Sequence, residues 1–308
     1  MTEDQLSPQK QQYEHTDPQE EIPAVGLGTY QTGGYKCFDA VKQALDEGYR
    51  HIDTAMAYEN EAVIGRAIQQ SSVDRDDIFL TTKTKGYPKF VEHDRLLEAA
   101  EGCLERLDTD YIDLLLIHWW NSEADMEETF AAMDELVDSG KVRRIGVSNF
   151  SIPRLRRAME AAETPILTNQ VEYHPYWSQD ELLNFCQAND IVLTAYSPLA
   201  EGLAINDDTL SEIGRKYGKS PAQVAIRWLI QQENVVTIPK SVTPSHIRDN
   251  LFVFDFELTE EEMAEIAALE GPFWYRENRE GGRIHRVRGL IGPAASRLLP
   301  DPVQNKIM

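Results

Sequence analysis

Residues 111–118 read YIDLLLIH, an apolar run of strand-forming residues that ends on a single histidine, His118. Two earlier apolar runs end in the same way, one on Asp53 and one on Lys83. The carboxyl ends of parallel strands in an α/β barrel converge on one mouth, so residues far apart in sequence meet there. The three run ends therefore predict one pocket at the mouth of a parallel barrel.

Short apolar runs alternate with stretches of helical spacing along most of the chain. The candidate strands cover residues 25–27, 49–53, 78–83, 111–117, 144–147, 166–171, 191–196 and 235–238. Eight β-α units without a break in composition predict a single-domain (β/α)8 TIM barrel of the α/β class. An open doubly wound sheet is the weaker alternative, because residues 26–30 (GLGTY) lack the third glycine of the dinucleotide-binding fingerprint.

Both ends of the chain differ from the predicted barrel. Residues 1–20 are polar and rich in Gln, Glu, Asp and Pro, which predicts a disordered acidic tail. The barrel is expected over residues 21–270, and its last helix, within residues 259–270, opens on a capping box. Residues 271–308 carry several arginines among Gly, Pro and aromatic residues, and we expect them to form an irregular C-terminal loop or tail.

The formal net charge of −22 excludes two classes of partner. Nucleic acids and anionic membranes are repelled by so acidic a surface. Arginine outnumbers lysine by 19 to 11, so the shortage of cations falls mainly on lysine. One interpretation is an ordinary acidic enzyme. The other is a halophilic protein, because molar salt screens charges within a few ångströms and makes strong self-repulsion tolerable.

The cysteines and the N-terminus indicate a reducing, cytoplasmic setting. Cys37, Cys103 and Cys186 are far apart in sequence, so no disulfide framework or zinc site is expected. The histidines also lack the spacing of metal ligands, and no metal is assigned. The first residues lack the basic start and apolar stretch of a secretory signal, and no run is long enough to cross a bilayer. We expect a monomer.

Tyr58 lies five residues beyond Asp53, in the stretch RHIDTAMAYENE (residues 50–61). A free phenol has a pKa of about 10, which makes it a weak proton donor at neutral pH. We expect the ammonium of Lys83 to lower that pKa, and the carboxylate of Asp53 to offset the cost of burying the ammonium. A proton donor of this kind stabilises the alkoxide that forms when hydride adds to a carbonyl.

Each candidate also has an ordinary structural interpretation. Asp53 is a common N-cap residue for a following helix, and Ser148 and Asn149 could cap the helix near residue 151 in the same way. Tyr58 could be a half-buried loop aromatic. His118, between Leu and Trp residues, would on its own be interpreted as a core histidine. The co-occurrence of the four ionisable residues favours the functional interpretation.

The order of these residues resembles that of the aldo-keto reductase superfamily. Further matching motifs follow at residues 146–150 (GVSNF), 169–175 (NQVEYHP), 196–199 (YSPL) and 238–241 (IPKS). The resemblance covers roughly residues 22–270. It implies a (β/α)8 barrel that binds NADP(H) in an extended conformation without a Rossmann fold. It also implies reduction of an aldehyde or ketone to an alcohol by hydride transfer.

The resemblance implies a role for each matching residue. Tyr58 would be the general acid, Lys83 would lower its pKa and Asp53 would pair with Lys83. His118 would orient the substrate carbonyl. The residues expected to contact the cofactor are Thr29, Tyr30, Asp53, Ser148, Asn149, Gln170, Tyr196, Ser197, Pro198, Leu199, Ile238, Pro239, Lys240, Ser241, His246, Asp249 and Asn250. Those expected to contact substrate are Tyr30, Tyr58, His118 and Trp119.

The chain departs from the family pattern at several points. Trp120 stands where the family usually has proline, residues 84–88 differ from common forms of that loop, and residues 271–308 match no transferable pattern. His246 stands where arginine is usual. Arginine binds a 2′-phosphate with a permanent charge and a planar fork, whereas a histidine is mostly neutral near pH 7. Since Lys240 remains, we expect NADPH to bind, with NADH as a second cofactor.

Two other functions are compatible with a barrel that carries these residues. A Schiff-base aldolase would use Lys83 as its nucleophile, but such a lysine should be unpaired and deprotonated. A nucleotide-sensing regulatory subunit would keep the cofactor motifs and act mainly through a partner. The intact set of four residues favours the reductase.

Overall fold

Eight parallel strands form one sheet whose order follows the chain. The computed structural model describes residues 22–85, 91–120 and 124–271. The tail expected at residues 1–20, most of the C-terminal segment 271–308 and part of the divergent 84–88 loop lie outside these residues. The strands are β1 (Leu27–Gly28), β2 (His51–Asp53), β3 (Phe79–Thr84), β4 (Ile112–Ile117), β5 (Val142–Ser148), β6 (Ile166–Glu172), β7 (Val192–Tyr196) and β8 (Val235–Thr237).

The sheet closes on itself between its first and last strands. Val25 pairs in parallel with Thr237, and Gly28 pairs with Lys240 just beyond β8. The amide of Gly26 donates to the carbonyl of Thr237 at 2.8 Å. Each neighbouring pair from β1 to β8 is also parallel. The predicted (β/α)8 barrel is confirmed.

Ten α-helices in the described residues connect and cover the strands. They are α1 (Gly34–Glu47), α2 (Glu61–Gln69), α3 (His93–Leu107), α4 (Met126–Asp138), α5 (Ile152–Ala161), α6 (Asp180–Gln187), α7 (Asp208–Tyr217), α8 (Pro221–Ile230), α9 (Pro244–Leu251) and α10 (Glu260–Ala267). Within the described ranges none of them is both long and apolar enough to span a membrane.

Helix ends follow from local side chains. Thr259 accepts a hydrogen bond from the amide of Glu262 while the Glu262 carboxylate accepts from the amide of Thr259, so the predicted capping box of α10 is confirmed. Ser220 and Gln223 form the same arrangement at the start of α8. Gly48 caps the C-terminus of α1, and its φ of 107° lies in the left-handed region that favours glycine.

Alternate strand residues point into the barrel and place the site. An interior cluster contains Ile22, Leu114, Leu116, Leu167, Val192 and Val236. All of β4 is buried, because helices cover its outer face as well, which explains its continuous apolar sequence. His118 lies two residues beyond Leu116 and so continues the inward row at the carboxyl end. Several predicted boundaries were wrong by one or two residues; for example, β2 begins at His51 rather than at residue 49, and β5 begins at Val142 rather than at residue 144.

A charged cluster ties the strands together at their amino ends, opposite the mouth. The carboxylate of Asp113 accepts from Arg75 at 2.7 Å and from Arg143 at 3.0 Å. The same two guanidinium groups lie on the ring of Tyr111, at 4.1 and 3.8 Å from its centroid. Asp113 is 4% exposed, so this cluster is a partly buried ionic contact remote from the mouth.

Candidate active site

The structure brings together the four ionisable residues singled out in the sequence. Asp53 ends β2, Lys83 lies near the end of β3, and His118 directly follows β4. Tyr58 ends a single 3₁₀ turn, Met56–Tyr58, in the loop after β2. All four positions lie at the carboxyl mouth of the barrel, where active sites of this fold are built.

Asp53 and Lys83 form a buried ion pair. The ammonium Nζ of Lys83 lies 2.6 Å from Oδ1 of Asp53 and donates to the carbonyl of Thr54 at 2.7 Å. The second carboxylate oxygen, Oδ2, accepts from Nε2 of Gln170 at 2.8 Å. The interpretation of Asp53 as a helix cap is therefore wrong, since its carboxylate binds Lys83 and Gln170 and the N-cap of α2 is Asn60.

Lys83 has the opposite properties to those of a Schiff-base nucleophile. Its side chain is fully buried and held by a carboxylate. Burial lowers the pKa of the Lys83 ammonium, and the charge and hydrogen bond of Asp53 oppose that shift. A nucleophilic lysine must be reachable and unpaired, so this geometry gives the aldolase alternative no support.

Tyr58 lies at the centre of an aromatic and charged group. Nζ of Lys83 lies 5.1 Å from the centroid of the Tyr58 ring. The rings of Tyr30 and His118 lie 5.1 and 5.8 Å from it, centroid to centroid. Tyr30 and Trp119 are 44% and 39% exposed, so aromatic surface faces solvent at this mouth.

The surroundings of Tyr58 raise the pKa of its hydroxyl. Burial raises it well above the ordinary value of 10.0, and the negative charge of Asp53 adds to the increase. The contribution of Lys83 alone is a separate quantity, and its expected lowering of the Tyr58 pKa stays a prediction. The Lys83 charge is already compensated by Asp53, and desolvation is the largest influence on the phenol. The hydroxyl keeps its proton at neutral pH.

His118 is neutral at neutral pH. Burial lowers its pKa to about 3, and the nearby positive charge of Lys83 acts in the same direction. A neutral imidazole can donate one hydrogen bond from its protonated nitrogen but adds no net charge to the site. The two rings at the mouth, Tyr58 and His118, thus both present uncharged donors.

A second row of polar residues connects directly to the ion pair. Oγ of Ser148 donates to the carbonyl of Gln170 at 2.8 Å. Nδ2 of Asn149 donates to Oγ of Ser148 at 2.9 Å, and the hydroxyl of Tyr196 donates to Oδ1 of Asn149 at 3.0 Å. Since Gln170 bonds Asp53, a continuous hydrogen-bonded row runs across the mouth from β2 to β7. The helix-cap interpretation of Ser148 and Asn149 is wrong, because Ser151 is the N-cap of α5.

The remaining candidate cofactor residues lie at the ends of β1, β7 and β8. Thr29 follows β1, and its hydroxyl donates to the carbonyl of Asp53 at 2.8 Å. Residues 197–199 follow β7, and Ile238 and Pro239 are buried just after β8. The last members lie beyond β8 or in α9: Lys240, Ser241, His246, Asp249 and Asn250.

Residues 240–251, which lead into and include α9 and are called the α9 segment below, expose few cations. Lys240 and His246 are exposed, whereas Ser241 is 9% exposed. The guanidinium of Arg248 lies 3.0 Å from the carboxylate of Glu47 on α1, so that charge is engaged in a surface ion pair. The positive charge this segment can offer a ligand therefore depends mainly on Lys240.

Two residues that the sequence analysis did not select organise the Tyr58 loop. Asn60 and Glu61 are each 1% exposed and follow Tyr58 within three residues. Asn60 forms hydrogen bonds with the loops after β1 and β2, and Glu61 forms hydrogen bonds with β3 and α3. The sequence does show two polar residues next to a candidate catalytic turn. Their polarity alone does not reveal that they are buried, so their role was missed.

Comparison with known proteins identifies the family. The model of the Aldo/keto reductase family matches residues 24–270. The chain belongs to this family. It is 42% identical over 250 residues to a glyoxal reductase of Bacillus subtilis, covering 81% of this chain and 89% of that protein. It is also 42% identical over 256 residues to a 9,11-endoperoxide prostaglandin H2 reductase of Trypanosoma cruzi, covering 80% and 88%.

Solved structures of this family have the same fold. The structure of a putative 2,5-diketo-D-gluconic acid reductase B has a TM-score of 0.79 at 43% identity, covering 82% of this chain and 89% of that one. A thermostable aldo-keto reductase in complex with the inhibitor epalrestat has a TM-score of 0.77 at 40% identity, covering 83% and 98%. This aldo/keto reductase is an oxidoreductase that reduces a small-molecule carbonyl compound to an alcohol.

The buried ion pair leads to a stability prediction. Asp53→Asn leaves the Lys83 ammonium buried without a counter-charge, and we expect the free energy of unfolding to fall by about 3–5 kcal/mol. The double variant Asp53→Asn with Lys83→Met removes the uncompensated charge and should recover most of that loss. Urea denaturation of the three proteins measures both values. A single variant as stable as the wild type would contradict this account of the pair.

Proposed function

We propose that this chain reduces small aldehydes, α-oxoaldehydes among them, with NADPH as the hydride donor and Tyr58 as the proton donor. The observation that carries the proposal is that the Tyr58 ring contacts both Lys83, of the buried ion pair with Asp53, and the neutral ring of His118. The exposed aromatic surface of Tyr30 and Trp119 suits a small carbonyl compound without strong charge. The glyoxal reductase relative supports the same substrate class.

The donor set across the mouth fits a nicotinamide cofactor. Its carboxamide needs both hydrogen-bond donors and acceptors, which Ser148, Asn149 and Gln170 provide. Tyr196 has an aromatic ring at the same edge of the barrel, suited to stacking on a flat ring. Lys240 and Ser241, beyond β8, would hold the phosphate at the adenosine end. NADPH, when bound here, supplies a hydride to the carbonyl carbon.

The protein supplies the proton and the orientation. Tyr58 keeps its proton at neutral pH because its pKa is raised, so a donor is present at the start of each turnover. As negative charge develops on the substrate oxygen, that oxygen becomes a stronger base than the phenolate, and the Tyr58 proton passes to it. His118, uncharged, donates a hydrogen bond to the same oxygen and fixes its position. Lys83 then stabilises the phenolate that remains.

A Tyr58→Phe variant tests this function. It removes only the hydroxyl, so we expect kcat for NADPH-dependent reduction of methylglyoxal to fall by about 100-fold or more, within the range of general acid catalysis. Affinity for NADPH, measured by fluorescence titration, should stay unchanged, because the proposed cofactor residues remain. Full turnover by the variant would rule out the assigned role of Tyr58.

The α9 segment leads to a prediction about cofactor choice. We propose that NADH serves as a second cofactor, because Lys240 is accompanied by His246 where a permanent charge would bind a 2′-phosphate more tightly. His246→Arg should raise the ratio of kcat/KM for NADPH over NADH by about tenfold or more. Ser245→Arg adds the same charge one residue earlier and serves as the control for general attraction. A thousandfold NADPH preference in the wild type would contradict the proposal.

The strong negative charge supports a halophilic setting. We propose that the protein acts in the cytoplasm of a cell with concentrated salt, as a monomer and without nucleic acid. Its free cysteines, all buried, are compatible with a reducing compartment.

Self-repulsion at a net charge of −22 should lower the melting temperature on dilution from molar to low salt. NaCl and KCl should act alike if screening is the cause; an unchanged melting temperature would remove this proposal.

A further inference from the structure

Two consecutive buried polar residues, Asn60 and Glu61, follow the Tyr58 turn and form hydrogen bonds with different parts of the barrel. Asn60 contacts the loops at the mouth, and Glu61, the first residue of α2, contacts the strand that carries Lys83. Both are 1% exposed. Buried polar groups of this kind are costly unless every hydrogen bond is made, so their contacts must be specific.

Asn60 joins the Tyr58 turn to the loop that carries Tyr30. Its Oδ1 accepts from the hydroxyl of Thr54 at 2.7 Å. Its Nδ2 donates to the carbonyls of Thr29 and Thr32, both at 3.0 Å. These two carbonyls lie on either side of Tyr30, whose ring packs 5.1 Å from that of Tyr58. The amide of Asn60 therefore sets the separation of the two tyrosine-bearing loops.

Glu61 joins the same turn to β3 from the outer side of the sheet. Its Oε1 accepts from the hydroxyl of Thr82 at 2.6 Å, and its Oε2 accepts from Nε of Arg106 at 2.7 Å. Thr82 directly precedes Lys83 and points to the opposite face of the strand. Arg106, on α3, compensates the charge of the carboxylate. Glu61 therefore connects the backbone after Tyr58 to the backbone of Lys83.

The turn itself has little internal structure to hold Tyr58. It is a single 3₁₀ turn with one backbone bond from the amide of Tyr58 to the carbonyl of Ala55, at 2.9 Å. Glu59, immediately after it, has a φ of 58° in the left-handed region, which is unfavourable for a residue other than glycine. Such a conformation persists only when its surroundings impose it. Asn60 and Glu61 are the next two residues and supply that constraint.

We propose that Asn60 and Glu61 are a pair of positioning residues that hold the Tyr58 ring against Tyr30 and Lys83 and so place its reacting hydroxyl. The inference rests on the proposed role of Tyr58 as proton donor. Neither residue touches the reacting atoms; each acts through the turn. A reacting group displaced by about 1 Å can lose 100-fold in rate, so loosening the turn should be visible in kcat.

The test uses Asn60→Ala and Glu61→Gln in the full chain, with Asp113→Asn as the matched control. Asp113 is likewise a buried carboxylate bonded to arginine, but it lies at the opposite end of the strands. We expect kcat for methylglyoxal reduction to fall about 10- to 100-fold in both test variants. NADPH affinity should stay unchanged. The control should lose melting temperature to a similar extent and keep its kcat.

A second readout reports on the turn without turnover. Hydrogen–deuterium exchange of the amides in residues 54–61 should become about tenfold faster or more in Asn60→Ala and Glu61→Gln, because the turn opens locally, and stay at the wild-type rate in Asp113→Asn. If Glu61→Gln fails to fold, Thr82→Val removes the same contact from its other side and should give the same result.

The outcomes separate this inference from the proposed function. Test variants that keep wild-type kcat, whether or not exchange becomes faster, would overturn the positioning role. A wild type inactive with NADPH, or a fully active Tyr58→Phe, would instead remove the proposed proton donor and the positioning role with it. Loss of kcat with unchanged exchange in residues 54–61 would also overturn the inference, because the turn would not have moved.

Discussion

The buried ion pair between Asp53 and Lys83 is the constraint on which the site depends. A lone ammonium at this depth would be strongly unfavourable, so the carboxylate must lie beside it. Since the partners lie at the carboxyl ends of two neighbouring strands, their contact fixes β2 against β3, and the hydrogen bond from Gln170 extends the contact to β6. The pair thus fixes the geometry of the mouth without a ligand. One of its members, Lys83, also contacts the ring of Tyr58, which carries the reacting hydroxyl.

Burial raises the pKa of Tyr58 and keeps its phenol protonated at neutral pH. A pair that is internally compensated acts on the phenol mainly as a dipole, and desolvation then favours the protonated form. For reduction this is an advantage, because the donor must carry its proton when the alkoxide forms. The ammonium contributes most after transfer, when a phenolate is present beside it. His118, kept neutral by the same burial, can orient the carbonyl without competing as an acid.

Much of the fold followed from the sequence because buried parallel strands leave a strong local signal. All eight apolar runs are strands, and the polar residues that end three of them do meet at one mouth. The site was harder to predict in detail. Whether Asp53 caps a helix or binds a lysine depends on what β3 places opposite it. The pKa direction of Tyr58 depends on the balance of burial and charge, and the burial of Asn60 depends on two loops meeting. None of these is encoded within a short stretch of sequence.

A direct titration of the Tyr58 hydroxyl tests the central claim. In protein labelled with ¹³Cζ-tyrosine, the Tyr58 resonance can be assigned by its loss in Tyr58→Phe and followed by NMR as the pH is raised. The account predicts that this resonance keeps the chemical shift of a protonated phenol up to a pH of about 10, the ordinary value for tyrosine. A transition near neutral pH would show that the ion pair acidifies the phenol, and it would contradict the account.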